Sequence, residues 1–211
     1  MADAKTGNRV WTGTIFVISA PSGAGKTTLC RKLVYSLDHV RESVSFTTRK
    51  PRRGERPDKD YSFINEQTFR RMVKSGDFIE WAEVHGNLYG TSKKRLTTLL
   101  RSGMDVILDI DTQGAEKIRK SGMEAVYIFI LPPSLKTLKE RLSKRKSNTQ
   151  KDIQRRLKRA RVEIRDLKKY DYVIVNNRIA EALGHLEAII TAVRLRSETV
   201  SKEFISYILS H

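Results

Sequence analysis

The sequence predicts an α/β fold in which helices wrap a parallel β-sheet, and three observations carry the prediction. Four apolar runs rich in β-branched residues lie at residues 14–19, 106–110, 125–131 and 172–175. Apolar side chains at successive positions fit strands covered on both faces, the condition of a parallel sheet. After these runs apolar residues recur at helical spacing, as at Leu29, Leu33 and Leu37. The third observation is the stretch Ala20-Pro-Ser-Gly-Ala-Gly-Lys-Thr-Thr28, which joins the first run to the first helical stretch. It reads as strand, phosphate-binding loop, helix.

The chemistry of that loop follows from its residue types. Small residues let backbone N–H groups curl inward around phosphate oxygens, and Gly23 and Gly25 accept dihedrals that a Cβ obstructs. Lys26 supplies a point charge for the β and γ phosphates and Thr27 a hydroxyl for Mg2+, while the following helix directs its N-terminal partial charge at the same anion. Ala20, Pro21, Ser22, Gly23, Ala24, Gly25, Lys26 and Thr27 are therefore the expected ATP cradle. The pattern G-x-x-x-x-G-K-[ST] is met except at its first position, where Ala20 replaces glycine.

At 211 residues the chain suffices for one α/β core with a small inserted subdomain. No run approaches the ~18 apolar residues of a membrane span. Residues 1–13 lack the apolar core of a secretion signal, and the single cysteine, Cys30, excludes an internal disulfide, so a cytoplasmic location is expected. The formal net charge is +17, and residues 136–169 hold fifteen Lys and Arg against four Asp and Glu. Such an excess implies a phosphate-rich partner, nucleotide or nucleic acid. A solvated helix face with a few functional arginines explains the run more simply than a nucleic-acid surface, so nucleic acid is disfavoured as a partner.

After the first helix, Pro51, Gly54 and Pro57 make residues 50–59 a basic loop. Tyr61-Ser-Phe-Ile64 alternates as a short strand, Phe69, Met72 and Val73 give helical spacing over 66–74, and Phe78-Ile-Glu-Trp-Ala-Glu-Val84 alternates again before a turn at Gly86-Asn87. Residues 43–97 thus interrupt the β/α rhythm and read as an inserted subdomain forming one wall of a cleft. The rhythm resumes with a strand at 106–110, a helix from about Thr112, and a strand at 125–131 that Pro132 and Pro133 end. Ser134 caps the next helix, with Leu135, Leu138 and Leu142 on one side. The basic residues 144–151 interrupt it, Ile153, Leu157, Ala160, Ile164 and Leu167 make a second stripe, and one or two helices over 180–208 follow the last strand.

Asp109 and Asp111 end the strand at 106–110, where a carboxylate orders the Mg2+ shell, and strand alternation points both the same way. The alternative for Asp111 is a cap on the helix beginning at Thr112. Arg49 and Arg52, with Tyr61 and Tyr89, are donors suited to a second phosphate. Glu80 lies between Phe78 and Trp81 in the same subdomain. A carboxylate accepts two parallel hydrogen bonds, which guanine offers through N1–H and its amino group, whereas adenine presents an acceptor at N1. The alternative for Glu80 is an exposed position on an edge strand.

The segments Ser19-Ala-Pro-Ser-Gly-Ala-Gly-Lys26, Ser45-Phe-Thr-Thr-Arg-Lys-Pro-Arg-Arg-Gly-Glu55, Asp60-Tyr-Ser-Phe63, Phe78-Ile-Glu-Trp-Ala-Glu83, Gly86-Asn-Leu-Tyr-Gly-Thr91, Leu108-Asp-Ile-Asp-Thr-Gln-Gly114, Phe129-Ile-Leu-Pro-Pro-Ser134 and Ile174-Val-Asn176 together resemble guanylate kinases, in the same order. The resemblance runs from about residue 14 to 195. It implies phosphoryl transfer from Mg2+-bound ATP to GMP, and also to dGMP, in purine nucleotide metabolism. It implies that Ser45, Glu80 and Asp111 contact guanine, that Arg49, Arg52, Tyr61 and Tyr89 hold the GMP phosphate with Thr91 beside them, and that Asn176 lies near the adenine. Arg145 and Arg156 resemble the lid arginines of the family, in a helical lid at about 141–156. The core is then 14–42 and 98–208, and the insertion at 43–97 binds GMP. Two departures stand out: Lys144 and Lys146 flank Arg145 where glycines are usual, and Asn177 stands where an acid commonly follows Asn176.

Overall fold

The computed structural model describes residues 13–52, 54–84, 86–144 and 149–210. Nine strands fall into two sheets among these residues. The larger is parallel and five-stranded, from β1 (Ile15–Ser19), β2 (Val40–Glu42), β7 (Asp105–Asp109), β8 (Val126–Leu131) and β9 (Tyr172–Val175), in the order β2-β7-β1-β8-β9. β1 sits at the centre, with Val17 paired to Leu108 on one side and to Tyr127 on the other. The phosphate-binding loop therefore leaves the sheet at the carboxyl ends of its middle strands, where α/β proteins hold ligands.

Alternation along β1 builds two cores. Phe16 and Ile18 face α1 (Lys26–Ser36) and α7 (Ile179–Arg194), packing with Leu29, Leu33, Leu186 and Ile190. Ile15 and Val17 face α3 (Lys93–Arg101) and α4 (Thr112–Lys120), packing with Leu96, Ala115 and Ile118. All of these except Ile15 are at most 1% exposed, as continuous apolar strands demand. α5 (Leu135–Ser143) and α6 (Gln150–Arg165) pack on each other through Leu138, Leu142, Ile153 and Ala160. Ser134 caps α5 by accepting from the Thr137 N–H, and Thr149 with Asp152 forms a capping box on α6, a device that stabilises a helix start by about 1 kcal/mol.

The second sheet has the order β4-β3-β6-β5, built from β3 (Phe46–Thr47), β4 (Ser62–Phe63), β5 (Phe78–Val84) and β6 (Asn87–Ser92). The β5–β6 hairpin turns at Gly86, and α2 (Glu66–Lys74) covers the sheet by packing Phe69 on Phe78, ring centroids 4.6 Å apart. β2, β3 and α3 are not read from the sequence: β2 and β3 are brief and owe their state to pairing with β7 and β6, and α3 follows β6 with no intervening turn. The last segment forms two helices, α7 and α8 (Lys202–Ser210). β7 ends at Asp109, so Asp111 is not a strand residue, and alternation does not relate the two aspartates.

Candidate active site

The loop closes on itself through Ala24 N–H to the Pro21 carbonyl, 3.0 Å, and Gly25 begins α1 in the left-handed region at φ 96° with no side-chain cap. The first-turn N–H groups of α1 thus remain available to an anion. Gly25 is required on a second count, since a Cβ there would meet Asn176 Nδ2 at 2.4 Å. Asn176 is fully buried and donates through Nδ2 to the Ala24 carbonyl, 2.7 Å, while Arg141 donates to the Asn176 carbonyl, 3.0 Å. Asn176 therefore props the loop from beneath.

Lys26 lies across the end of β7. Its Nζ is 2.5 Å from Asp109 Oδ1 and donates to the Ile110 carbonyl at 2.6 Å. Burial opposes its charge, but the Asp109 carboxylate more than offsets that and leaves the ammonium pKa raised. Lys26 and Thr27 share a cavity of about 210 Å3 with Asp109, Asp111, Ser45, Tyr61, Glu80 and Tyr89. Residues from the loop, from β7 and from the second sheet thus meet around one space.

Glu80 is 5% exposed, which overturns the exposed-edge alternative: β5 is an edge strand, but α4 covers it. Its Oε1 accepts from Thr91 Oγ1 at 2.6 Å, and a Cβ on Gly114 would stand 2.9 Å from Oε2. Burial pushes the Glu80 carboxyl up to about 7; the Thr91 hydroxyl works against that and the Asp111 charge adds to it. Asp111 does cap α4, accepting from Gly114 N–H at 2.9 Å, and it lines the cavity as well.

Arg49 is held by Glu55 through two parallel bonds of 2.9 Å, and Glu55 also accepts from the Arg52 N–H at 2.7 Å. The guanidinium sits 5.3 Å from the Tyr61 ring, and Tyr61 meets Tyr89 edge-on. A second cavity of about 220 Å3 adjoins the first at Lys26 and Asp111 and is lined by Ala20, Ser22, Arg52, Arg156 and Arg159. Arg156 Nη1 donates to Ser22 Oγ at 2.6 Å. Arg145 lies outside the described residues.

Sequence reasoning missed Glu55, Arg141, Arg159 and Glu163. An acid among five cations in residues 49–56 was the available signal for Glu55, and the three-residue spacing from Arg156, which puts both on one helical face, was the signal for Arg159.

A phosphate loop facing a second pocket with its own arginines and a buried carboxylate defines a P-loop nucleoside monophosphate kinase. Residues 12–193 match the family model described as guanylate kinase. The chain is 49% identical over 196 residues to the guanylate kinase of Geobacter metallireducens, covering 91% of this chain and 97% of that protein. It is 48% identical over 195 residues to that of Aromatoleum aromaticum, covering 92% and 96%. Among solved structures it is similar to the guanylate kinase of Anaplasma phagocytophilum, with a TM-score of 0.74, 38% identity and 89% of each chain covered. The chain belongs to the guanylate kinase family.

Proposed function

We propose that this cleft transfers the γ-phosphoryl group of ATP to GMP, and to dGMP, giving ADP and the nucleoside diphosphate. The observation that carries this reading is the buried Glu80 carboxylate opening into the same cavity as Lys26 and Thr27. Glu80 and Asp111, with Ser45, take the N1–H and amino group of guanine, while Arg49, Arg52, Tyr61 and Tyr89 hold the acceptor phosphate with Thr91 fixing Glu80. The insertion at 43–97 is the acceptor subdomain and residues 141–156 the lid. The reaction belongs to purine nucleotide metabolism in the cytoplasm.

The acceptor phosphate is anionic near neutral pH, so its oxygen attacks the γ phosphorus without a strong base, and the bond to the ADP oxygen breaks in line. Lys26 pairs with Asp109 across the end of β7, and with nucleotide present it turns to the β and γ phosphates. Thr27 and Asp109 both bring oxygen atoms to the lining of one cavity and fit Mg2+, which prefers few protein ligands and the phosphates of its substrate. Mg2+ would neutralise charge on those phosphates when bound. Arg49, Arg52, Arg145 and Arg156 counter the charge of the moving group, and Asn176 keeps the ATP loop in shape from below.

A coupled assay of ADP formation from Mg·ATP with GMP, dGMP, AMP, UMP, CMP or no acceptor tests the reading. Turnover selective for the guanine nucleotides is expected. Equal turnover with AMP, or none with any acceptor despite ATP binding, would overturn it.

A further inference from the structure

Arg159 sits three residues beyond Arg156 on α6 and reaches in the other direction. Its Nη2 donates to Asp111 Oδ2 at 2.8 Å and its Nε to Glu163 Oε1 at 2.8 Å. Glu163 is 8% exposed and lies four residues along the same helix, so it holds the guanidinium at its base. Asp111 Oδ1 is committed to capping α4, which leaves Oδ2 as the oxygen a guanine amino group needs, and Arg159 occupies it. The same Arg159 side chain lines the cavity between the phosphate loop and α6, together with Lys26, Arg52 and Arg156. Two subsites therefore contend for one guanidinium.

We propose that Arg159 links acceptor binding to phosphoryl transfer: it pairs with Asp111 until guanine takes that carboxylate, and then moves onto the transferring phosphoryl group. The proposal rests on the reading of Asp111 as a guanine ligand. Glu163 at Nε acts as the pivot and Nη2 is the end that changes partner. Before GMP arrives, the transferring group lacks one of its countercharges, which keeps water a poor acceptor. With GMP bound, the guanidinium fork meets phosphate oxygens instead of a carboxylate, for which its geometry is equally suited.

The test compares guanosine, which carries no phosphate, with full turnover. In Arg159→Met, guanosine binding measured by calorimetry is expected to tighten ~3–10-fold because its competitor for Asp111 is gone, while kcat with Mg·ATP and GMP falls ~10–100-fold, as loss of a charge-stabilising donor does. Arg159→Lys should recover part of the turnover. The double variant Arg159→Met/Glu163→Gln leaves no stranded buried carboxylate and serves should the single variant not fold. Unchanged kcat, or weaker guanosine binding at unchanged kcat, would mean that Arg159 only braces Asp111, and would overturn the proposal. Asp111→Asn separates the two levels: if it leaves guanosine affinity unchanged, the guanine reading of Asp111 and the proposal fall together, whereas if it weakens guanosine and Arg159→Met shows no opposed changes, the proposal alone falls.

Discussion

Glu80 Oε1 accepts a 2.6 Å hydrogen bond from the hydroxyl of Thr91, while Oε2 faces the gap that Gly114 leaves by having no side chain. A carboxyl raised to about 7 by burial is half protonated near neutrality, and only its ionised form accepts both guanine donors. With Glu80 as the guanine reader proposed above, GMP binding should release a proton, and affinity should fall as pH drops below about 7, by at most ~tenfold per unit. Guanosine calorimetry against pH measures this without titrating the GMP phosphate, and Glu80→Gln should bind weakly with a flat profile. The sign for stability is the reverse: with the folded pKa above the unfolded 4.5, Glu80 favours the fold most below about 4.5, and that contribution is lost as pH rises through 7.

Gly114→Ala places a methyl 2.9 Å from Glu80 Oε2, so the carboxylate must move. The KM for GMP should rise ~10-fold with little change in the KM for ATP. Equal effects on both nucleotides would count against Glu80 as the guanine reader.

Glu55→Gln removes one of the two charge-assisted bonds that aim Arg49 and weakens the hold on the Arg52 backbone. Loss of one such charge-assisted bond costs about 1.5–3 kcal/mol of positioning, so kcat/KM for GMP should fall ~10–100-fold, with Glu55→Asp intermediate. Steady-state kinetics with GMP varied at saturating ATP is the check.

Lys26→Met removes the charge at the phosphates and leaves Asp109 without its partner. Turnover should drop ~100-fold or more. A variant retaining most of its kcat would place the phosphate charge elsewhere.

Asp105 lies far from this chemistry, 4% exposed, accepting from Thr14 N–H at 2.9 Å and from Arg194 Nε at 2.7 Å. Asp105→Asn breaks a buried pair and should destabilise the fold by about 3 kcal/mol, lowering Tm while leaving kcat at low temperature intact. Thermal unfolding and kinetics on the same sample separate the two.

The long strands were legible because β1, β7 and β8 are buried on both faces, and burial on both faces writes itself as unbroken apolar sequence. β2 and β3 were not, since they owe their state to neighbours β7 and β6 and not to their own residues. Glu80 was legible through the contrast between a carboxylate and its apolar flanks. Arg159 was hidden in a charge run: fifteen cations in one segment look alike until α6 turns one of them toward Asp111 and others toward water. The residues offer Asp111 to the Mg2+ shell or to the helix cap, and the resemblance offers it to guanine; its two oxygens let it cap α4 and face the cavity together.

The bond from Asn176 to the Ala24 carbonyl spans 152 residues of chain, and the Arg141 bond to the same carbonyl spans 117. A chain emerging from the ribosome therefore exposes its nucleotide loop long before the residues that shape it have been made. Until β9 docks, the loop lacks the bond from Asn176, so ATP binding is expected to arrive only after that residue has been made.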